Sequence, residues 1–375
     1  MDVIVTEDQR MLQNATRRYL EDRVPLGTLR RLADTVTEFS ADAWREGVAQ
    51  GWVGLFTPEA YGGMSESAQG VIDAAILAEE LGRVVYPGPF LSNCIVAFAI
   101  SQFGSPAQQS ALLPGLVEGE KRAAWCFAAT GVKAGIEPGG VRVVRTSAGF
   151  TLTGIAANVQ DAQSADYLLV TAVDHGSVSQ FLIPATMPGI VIHPLETLDL
   201  GKRLANVEFS GVPVAVDTQV GEYGSAADQF ERQLQVALVL HCAETVGVID
   251  RALEFTLEYV QQRYAFGRPI GSFQALKHRL ADHVTQLEGA KAAVAHAAKA
   301  VHAAASDAAI AASVAKSQCG RWGTEILRDC LHLHGGIGMT WDHDIHFYLR
   351  RAVSNEALLG STSVHHERLC RLAGL

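Results

Sequence analysis

The fold is decided by residues 229–278, which read QFERQLQVALVLHCAETVGVIDRALEFTLEYVQQRYAFGRPIGSFQALKH. Apolar residues recur in the first part at steps of three and four, which predicts a long amphipathic helix. These residues are Val236, Val239, Leu240, Ala243, Val246, Ile249, Leu253, Leu257 and Val260. Gly267 and Pro269 are expected to end this helix, and Ser272 is the predicted N-cap of a second one. The stretch therefore predicts a helical hairpin.

An arginine and an aromatic residue, Arg263 and Phe266, lie at the break between the two predicted helices. A guanidinium group can hold a phosphate, and an aromatic ring can stack on a base. The simpler interpretation is a helix corner in which the arginine caps the last carbonyl groups. Spacing alone leaves both interpretations open.

The composition limits the class of protein. A chain of 375 residues is long enough for two or three domains, and 48% hydrophobic with 19% charged residues is an ordinary globular balance. A net charge of -10 without a Lys/Arg tract argues against nucleic acid or an anionic membrane as partner, because phosphate binding needs clustered cations. Scattered cysteines and the lack of a signal-peptide pattern predict a cytoplasmic location. No apolar run approaches ~20 residues, so we expect no membrane span.

The spacing of apolar residues changes twice along the chain. Residues 1–120 have helical spacing, residues 121–222 contain short β-rich runs between turn residues, and residues 223–375 have helical spacing again. The alanine-rich segment 292–317 predicts closely packed helices. The predicted fold class is α+β, mainly α, with domains 1–120, 121–222 and 223–375.

Four segments, in this order, resemble the acyl-CoA dehydrogenase family over nearly the whole chain. They are GWVGLFTPEAYGG (51–63), LPGLVEGEK (113–121), RYAFGRPIGSFQALKHRLAD (263–282) and HGGIGMTW (334–341). The resemblance implies an N-terminal helical domain, a middle β-barrel domain and a C-terminal four-helix bundle. It also implies FAD, an acyl-CoA substrate, electron-transfer flavoprotein as electron acceptor, and a homo- or heterotetramer whose subunits share each cofactor site.

The same resemblance assigns the cofactor contacts. The predicted residues are Arg263, Phe266, Phe273, Gln274, His332, Gly335 and Gly336. Arg263 would contact the diphosphate and Phe266 would lie beside the adenine of the neighbouring subunit's FAD. His332 stands where relatives often carry glutamine, although His332 and His334 could equally be buried core histidines. The middle domain departs from the family pattern, and its flavin contacts would fall on Phe127, Ala128, and Val159 or Gln160.

The implied chemistry is α,β-dehydrogenation of an acyl-CoA thioester, which needs a base for the α-proton. Many members carry a glutamate just before a Gly-Thr pair in the C-terminal loop, but Leu359 stands at that position here. Another branch carries its base on the long helix, at the position of Ala237. Glu244 lies about two turns further on, and we predict it as the base, with a pKa raised by apolar neighbours. Glu356 is a second candidate.

Other interpretations stay open. Glu244 could be a structural carboxylate paired with His241 or Arg251. The missing glutamate also fits a catalytically silent partner subunit of a heteromeric acyl-CoA dehydrogenase. A flavin-dependent monooxygenase on the same fold would need no α-proton base. The stretches TWDHD (340–344) and LRRA (349–352) resemble bacterial members that act on bulky CoA esters such as steroid side chains.

The histidines in this C-terminal part do not form a metal-ligand pattern, so no metal is predicted.

Overall fold

The computed structural model describes residues 6–24, 27–34, 40–64, 70–131 and 136–375. Within residues 6–120 the described helices are α1 (Glu7–Arg23), α2 (Gly27–Asp34), α3 (Ala41–Val48), α4 (Val71–Arg83), α5 (Phe90–Phe103) and α6 (Pro106–Val117). Local sequence fixes where several of them begin, since Thr6 and Ser105 form capping boxes. The side chain of Ser40 caps the start of α3. Trp52 is fully buried in this part, and three aromatic rings meet it edge-on.

The middle of the chain forms one sheet of eight strands. They are β1 (Ala123–Cys126), β2 (Val141–Thr146), β3 (Gly149–Gln160), β4 (Tyr167–Asp174), β5 (Ser177–Pro184), β6 (Ile190–Pro194), β7 (Leu204–Val214) and β8 (Gln219–Val220). Their order is β6-β7-β3-β2-β4-β5-β8, and β1 pairs with β4. The predicted closed barrel is wrong in this respect, because β6 and β8 do not pair within the described residues. Strand β8 has only two residues before the chain turns toward the next helix, which leaves the sheet open.

The C-terminal part is helical, as predicted. It consists of α7 (Ala227–Gln262), the short strands β9 (Tyr264–Ala265) and β10 (Arg268–Pro269), α8 (Gln274–His302), α9 (Ala308–Leu333), α10 (Ile345–Ala357) and α11 (Thr362–Leu372). Helix α9 packs against the other four helices, so it lies at the centre of the bundle. Ser272 is not the N-cap of α8: its hydroxyl donates to the carbonyl of Pro269, and the helix begins at Gln274.

Helix α7 is buried on all sides over residues 233–249, rather than on one face only. Helices α4 and α5 of the N-terminal part both pack against α7, in addition to its neighbours in the bundle. Between Val117 and Ala123 the chain passes from helices to strands, and between Val220 and Ala227 it returns to helices. The domain boundaries after residues 120 and 222 remain a prediction. Across the described ranges, no helix combines the length and the apolar character that a membrane crossing requires.

The close approach of α4 and α7 depends on two glycines. A Cβ atom on Gly82 would lie 2.1 Å from the carbonyl oxygen of Glu244. A Cβ atom on Gly247 would lie 1.8 Å from the carbonyl oxygen of Glu79. Both obstacles are backbone atoms, so a side chain at either position forces the helices apart.

We therefore expect Gly247→Ala to lower the free energy of unfolding by about 1–3 kcal/mol, because it overpacks this contact. Urea unfolding followed by circular dichroism measures the change. Gly289→Ala on α8 is the matched control, since nothing lies within 4 Å of its Cβ position. The control should gain up to about 1 kcal/mol from better helix propensity. Equal stability of the two variants would show that the α4–α7 contact tolerates a methyl group.

Candidate functional site

Glu244 lies in a buried cluster of four charges. Arg351 Nη1 donates to Glu244 Oε1 at 2.7 Å, and Lys202 Nζ lies 2.9 Å from Glu244 Oε2. Asn355 Nδ2 also donates to Oε2, at 2.8 Å. Arg351 Nε donates to the second carboxylate, Asp199. Two cations and two anions balance each other, which is the condition for burying charge without a large penalty.

The cluster lowers the pKa of Glu244. Burial opposes its ionisation, but Lys202 and Arg351 outweigh burial and lower the pKa of the carboxyl to about 2. The predicted increase in pKa is therefore wrong, because the two cations come from distant parts of the chain. The hydrogen bonds of this carboxylate go to these cations and to Asn355, rather than to His241 or Arg251. The role of Glu244 as base stays a prediction, yet a carboxylate with this pKa and three bound donors is a weak proton acceptor at neutral pH.

Leu359 lies in the turn between α10 and α11, at the position that the resemblance assigns to the base. Leu359 and Gly360 both have left-handed backbone conformations, with φ of 56° and 87°. Lys316 Nζ donates to the carbonyl of Glu356 at 3.0 Å, and His365 Nε2 lies 2.9 Å from the carbonyl oxygen of Leu359. The turn is thus clamped from two helices. It presents a leucine, which cannot take a proton.

The second candidate base, Glu356, has a structural role in this turn. Its Oε1 accepts a hydrogen bond from the backbone N–H of Thr362 at 2.9 Å, which satisfies a free donor at the start of α11. The side chain is therefore engaged at the helix terminus.

A small cavity, which we call the niche, lies where the three parts of the chain meet. Its walls are Ser92, Ile95, Trp125, Phe127, Asn158, Gln160, His241, Leu358 and Leu359. The niche has a volume of about 50 Å³, whereas pockets for ring-sized organic ligands measure roughly 300–1,000 Å³. The rings of Trp125 and Phe127 stack at 4.2 Å, and Phe230 packs against both. A flavin ring does not fit in the niche in this conformation.

His241 is a niche residue that sequence reasoning considered only as a partner of Glu244. It is 4% exposed, and its Nδ1 has no hydrogen-bond partner within the described part of the chain. Burial and then the charge of Lys202 lower the pKa of His241 well below its usual value, so the imidazole is neutral. Its position in the sequence, one turn before Glu244 on the same helix, was the available indication.

Of the predicted flavin contacts, Phe127 and Gln160 line the niche. Three of the residues predicted for the rest of the cofactor lie elsewhere, in an open groove on the outer surface that we call the tail groove. It is lined by Phe266, Ile270, Phe273, Ala275, Leu276, Arg279, His332 and Leu333, and its volume is about 460 Å³. Phe266 is 94% exposed at the tip of the β9–β10 hairpin, and its ring meets Phe273 edge-on at 6.3 Å. The guanidinium of Arg268 lies 4.0 Å above the ring of Phe273. This groove has the size and the aromatic surface that an adenine nucleotide requires.

The structure thus brings Phe266, Phe273 and His332 together. Arg263 is the C-cap residue of α7, and Gln274 is the first residue of α8. Both are therefore close in sequence to Phe266 and Phe273. Gly335 and Gly336 begin the turn after α9, where a Cβ on either glycine would meet nothing within 4 Å. Backbone amides there are open to a ligand.

The neighbouring His334 is a core residue. It is 2% exposed, and its Nε2 lies 3.1 Å from the hydroxyl of Thr256. Burial, followed by the charge of His343, lowers the pKa of His334 to about 4. Among the residues that the structure describes, no three His, Cys, Asp or Glu side chains cluster as they would around a metal ion.

The chain thus combines N-terminal helices, a sheet and a helical bundle with an open outer groove and a small inner niche. Two family models match, "Acyl-CoA dehydrogenase, N-terminal domain" over residues 6–120 and "Acyl-CoA dehydrogenase, C-terminal domain" over residues 227–373. A solved structure of a variant of the "Tcur3481-Tcur3483 steroid ACAD" is 31% identical over 98% of both chains, with a TM-score of 0.90.

Two further relatives cover almost the whole chain. The ChsE4-ChsE5 complex from Mycobacterium tuberculosis is 28% identical over 100% of this chain and 99% of that chain, with a TM-score of 0.89. Acyl-CoA dehydrogenase FadE27 of the same organism is 28% identical over 91% of this chain and 90% of that protein. The chain belongs to the acyl-CoA dehydrogenase family. Its cofactor is FAD, and its reaction class is the oxidation of CH–CH bonds.

Replacing Glu244 by glutamine removes the carboxylate that pairs directly with Lys202. We expect Glu244→Gln to lower the free energy of unfolding by about 3–5 kcal/mol, because an uncompensated charge stays buried. Thermal and urea unfolding measure this loss. Glu325→Gln, on the exposed side of α9, is the matched control and should change stability by less than about 0.5 kcal/mol.

The wild type and Glu244→Gln should also differ in how their free energy of unfolding depends on pH. The pKa of Glu244 is depressed from an ordinary value of 4.5 to about 2. Its contribution to stability is therefore complete above pH 4.5 and is lost as the pH falls toward 2. The stability difference between the wild type and Glu244→Gln should narrow in that window. A difference that stays constant in acid would contradict the ion-pair assignment.

Proposed function

We propose that this chain is one of two non-identical subunits of an FAD-dependent acyl-CoA dehydrogenase, and that the other subunit supplies the α-proton base. The observation that carries the proposal is Leu359 at the base position. Among the described residues, no carboxylate lines the niche. Glu244, the nearest acidic side chain on α7, is held by Lys202 and Arg351. Dehydrogenation needs a proton acceptor, and we assign that role to a carboxylate of the other subunit.

The relatives support an assembly of unlike subunits and a bulky substrate. Two of the solved structures similar to this chain are described with two component names, Tcur3481-Tcur3483 and ChsE4-ChsE5. The first is also described as a steroid ACAD. Combined with the TWDHD and LRRA stretches, this supports a bulky thioester of the steroid side-chain kind as the substrate.

The sizes of the two cavities support a cofactor site that is shared between two subunits. The niche is too small for a flavin ring, whereas the tail groove is open. We propose that the groove receives the tail of an FAD whose ring lies in the other subunit. Arg263 would hold the diphosphate through a bidentate guanidinium, and Phe266 would stack on the adenine. Phe273, Gln274, His332, Gly335 and Gly336 would complete the contact.

Bound FAD would supply the hydride acceptor. This chain would hold the tail of that FAD. Electron-transfer flavoprotein as the acceptor of the electrons and a cytoplasmic location stay predictions. The monooxygenase alternative has no specific observation in its favour, and oxygen-dependent hydroxylation with reduced flavin would be its mark.

The stoichiometry of flavin tests the proposal. The chain is co-expressed with a family member that carries glutamate at the position of Leu359, and the complex is assayed with a bulky acyl-CoA and a dye acceptor. We expect one FAD for each pair of chains, turnover by the complex and no turnover by this chain alone. A yellow homotetramer of this chain that oxidises acyl-CoA would overturn the proposal.

The identity of the base is tested in the same complex. Replacing the other subunit's glutamate by glutamine should reduce turnover by about 10²- to 10⁴-fold, as expected for loss of a general base. Glu244→Gln should keep the turnover of the folded complex. If Glu244→Gln loses turnover while FAD stays bound, and the other subunit keeps its turnover without its glutamate, Glu244 is the base, as the sequence predicted.

A further inference from the structure

A second open groove continues from the tail groove between α8 and α9. Its volume is about 650 Å³, and it is lined by Arg279, His283, Arg321, Thr324, Glu325, Arg328, Asp329 and His332. Arg279 and His332 line both grooves, so the two form one continuous depression. Arg279 lies where the two grooves meet. It borders the half of the depression that Phe266 and Phe273 line, which we call the aromatic half.

The side chain of Arg279 is fixed from below. Its guanidinium forms an ion pair with Asp329 on α9. The other carboxylate oxygen of Asp329 lies 2.7 Å from His283 Nε2, and His283 Nδ1 lies 3.2 Å from Gln286 Oε1. The side chain of Arg279 is 45% exposed, whereas those of Asp329 and His283 are 15% and 10% exposed. An accessible cation is therefore mounted on a largely buried anchor that spans two helices.

This arrangement prepares Arg279 to bind a ligand. A guanidinium has five N–H donors, and the carboxylate of Asp329 cannot engage all of them. Because the anchor already restricts the side chain, binding costs less ordering entropy than for a free surface arginine. The same half of the depression offers the rings of Phe266 and Phe273. Aromatic faces and a planar cation together fit a purine base, which stacks on rings and carries acceptor nitrogens on its edge.

We infer that Arg279, oriented by Asp329 and His283, binds the adenosine end of the FAD that a neighbouring subunit presents. The inference rests on the proposed function, which brings the FAD tail to this groove. Arg279 acts in addition to Arg263, whose proposed partner is the diphosphate. Asp329 and His283 are positioning residues, because they act on the nucleotide only through Arg279.

A purely structural role would be a staple between α8 and α9. In that case the loss of Arg279 or Asp329 would lower stability and leave nucleotide binding as it was. The structural role therefore predicts a change in stability alone, whereas the binding role predicts a loss of affinity for the nucleotide.

The test measures binding of 5′-ADP to the full chain by titration calorimetry, and the retention of FAD by the complex. Arg279→Gln should weaken 5′-ADP binding by about 10- to 100-fold, the loss expected for one charge-assisted contact. Asp329→Asn should weaken binding in the same direction through Arg279, with the melting temperature of the chain checked in parallel. Arg279→Lys should restore only part of the affinity, because lysine lacks the planar fork.

Arg321→Gln is the matched control, since it removes the same charge from the second groove without touching the aromatic half. It should leave 5′-ADP affinity unchanged. If the wild type binds 5′-ADP and Arg279→Gln binds it equally well, the inference is overturned while the proposed function stands. If the wild type binds no 5′-ADP and the complex holds no FAD, the proposed function fails together with the inference.

Discussion

The buried guanidinium of Arg351 joins all three parts of the chain. It contacts Glu244 on α7, Asp199 in the connection between β6 and β7, and the carbonyl of Tyr86 between α4 and α5. Arg351 itself is 0% exposed. With Lys202 the cluster is neutral, so each member depends on the others for its burial. This contact ties the N-terminal helices, the connection between β6 and β7, and the bundle to one another.

The same interaction explains why the family fold persists here without its usual base. Arg351 anchors one turn of α10, and Lys316 caps the carbonyl end of that helix. The turn that follows, with Leu359, is therefore held in place regardless of the side chain it carries. The carboxylate of Glu244 is engaged in its ion pairs with Arg351 and Lys202. This arrangement is compatible with the proposed function, in which the proton acceptor belongs to another subunit.

Local features of the sequence predicted most of the fold. The periodicity of residues 229–278 depends on neighbours within a few positions, and the structure confirms the two helices of the predicted hairpin. The environment of Glu244 could not be read in this way. Its partners, Lys202 and Arg351, lie in other elements, and Arg351 is 107 residues away. Periodicity indicates that a residue is buried but does not reveal the charges it meets.

The candidate site divides along the same line. Resemblance supplied Phe266 and Phe273 of the tail groove, because both lie in one continuous motif. The role of Arg279 was not predicted, since its anchor Asp329 is on another helix. The spacing of Arg279 and His283, one helical turn apart, was the local feature that could have indicated a shared partner. Closure of the sheet was also beyond reach, because it depends on how the two edge strands meet in space.

The exposed hairpin has a consequence for how the chain must be produced. Phe266 is 94% exposed and Tyr264 is 65% exposed, so an unassembled copy presents aromatic surface to water. Such surface promotes non-specific association until a ligand or another chain covers it. Under the proposed function the second subunit would cover this hairpin, so synthesis of this chain in excess over that subunit would favour aggregation.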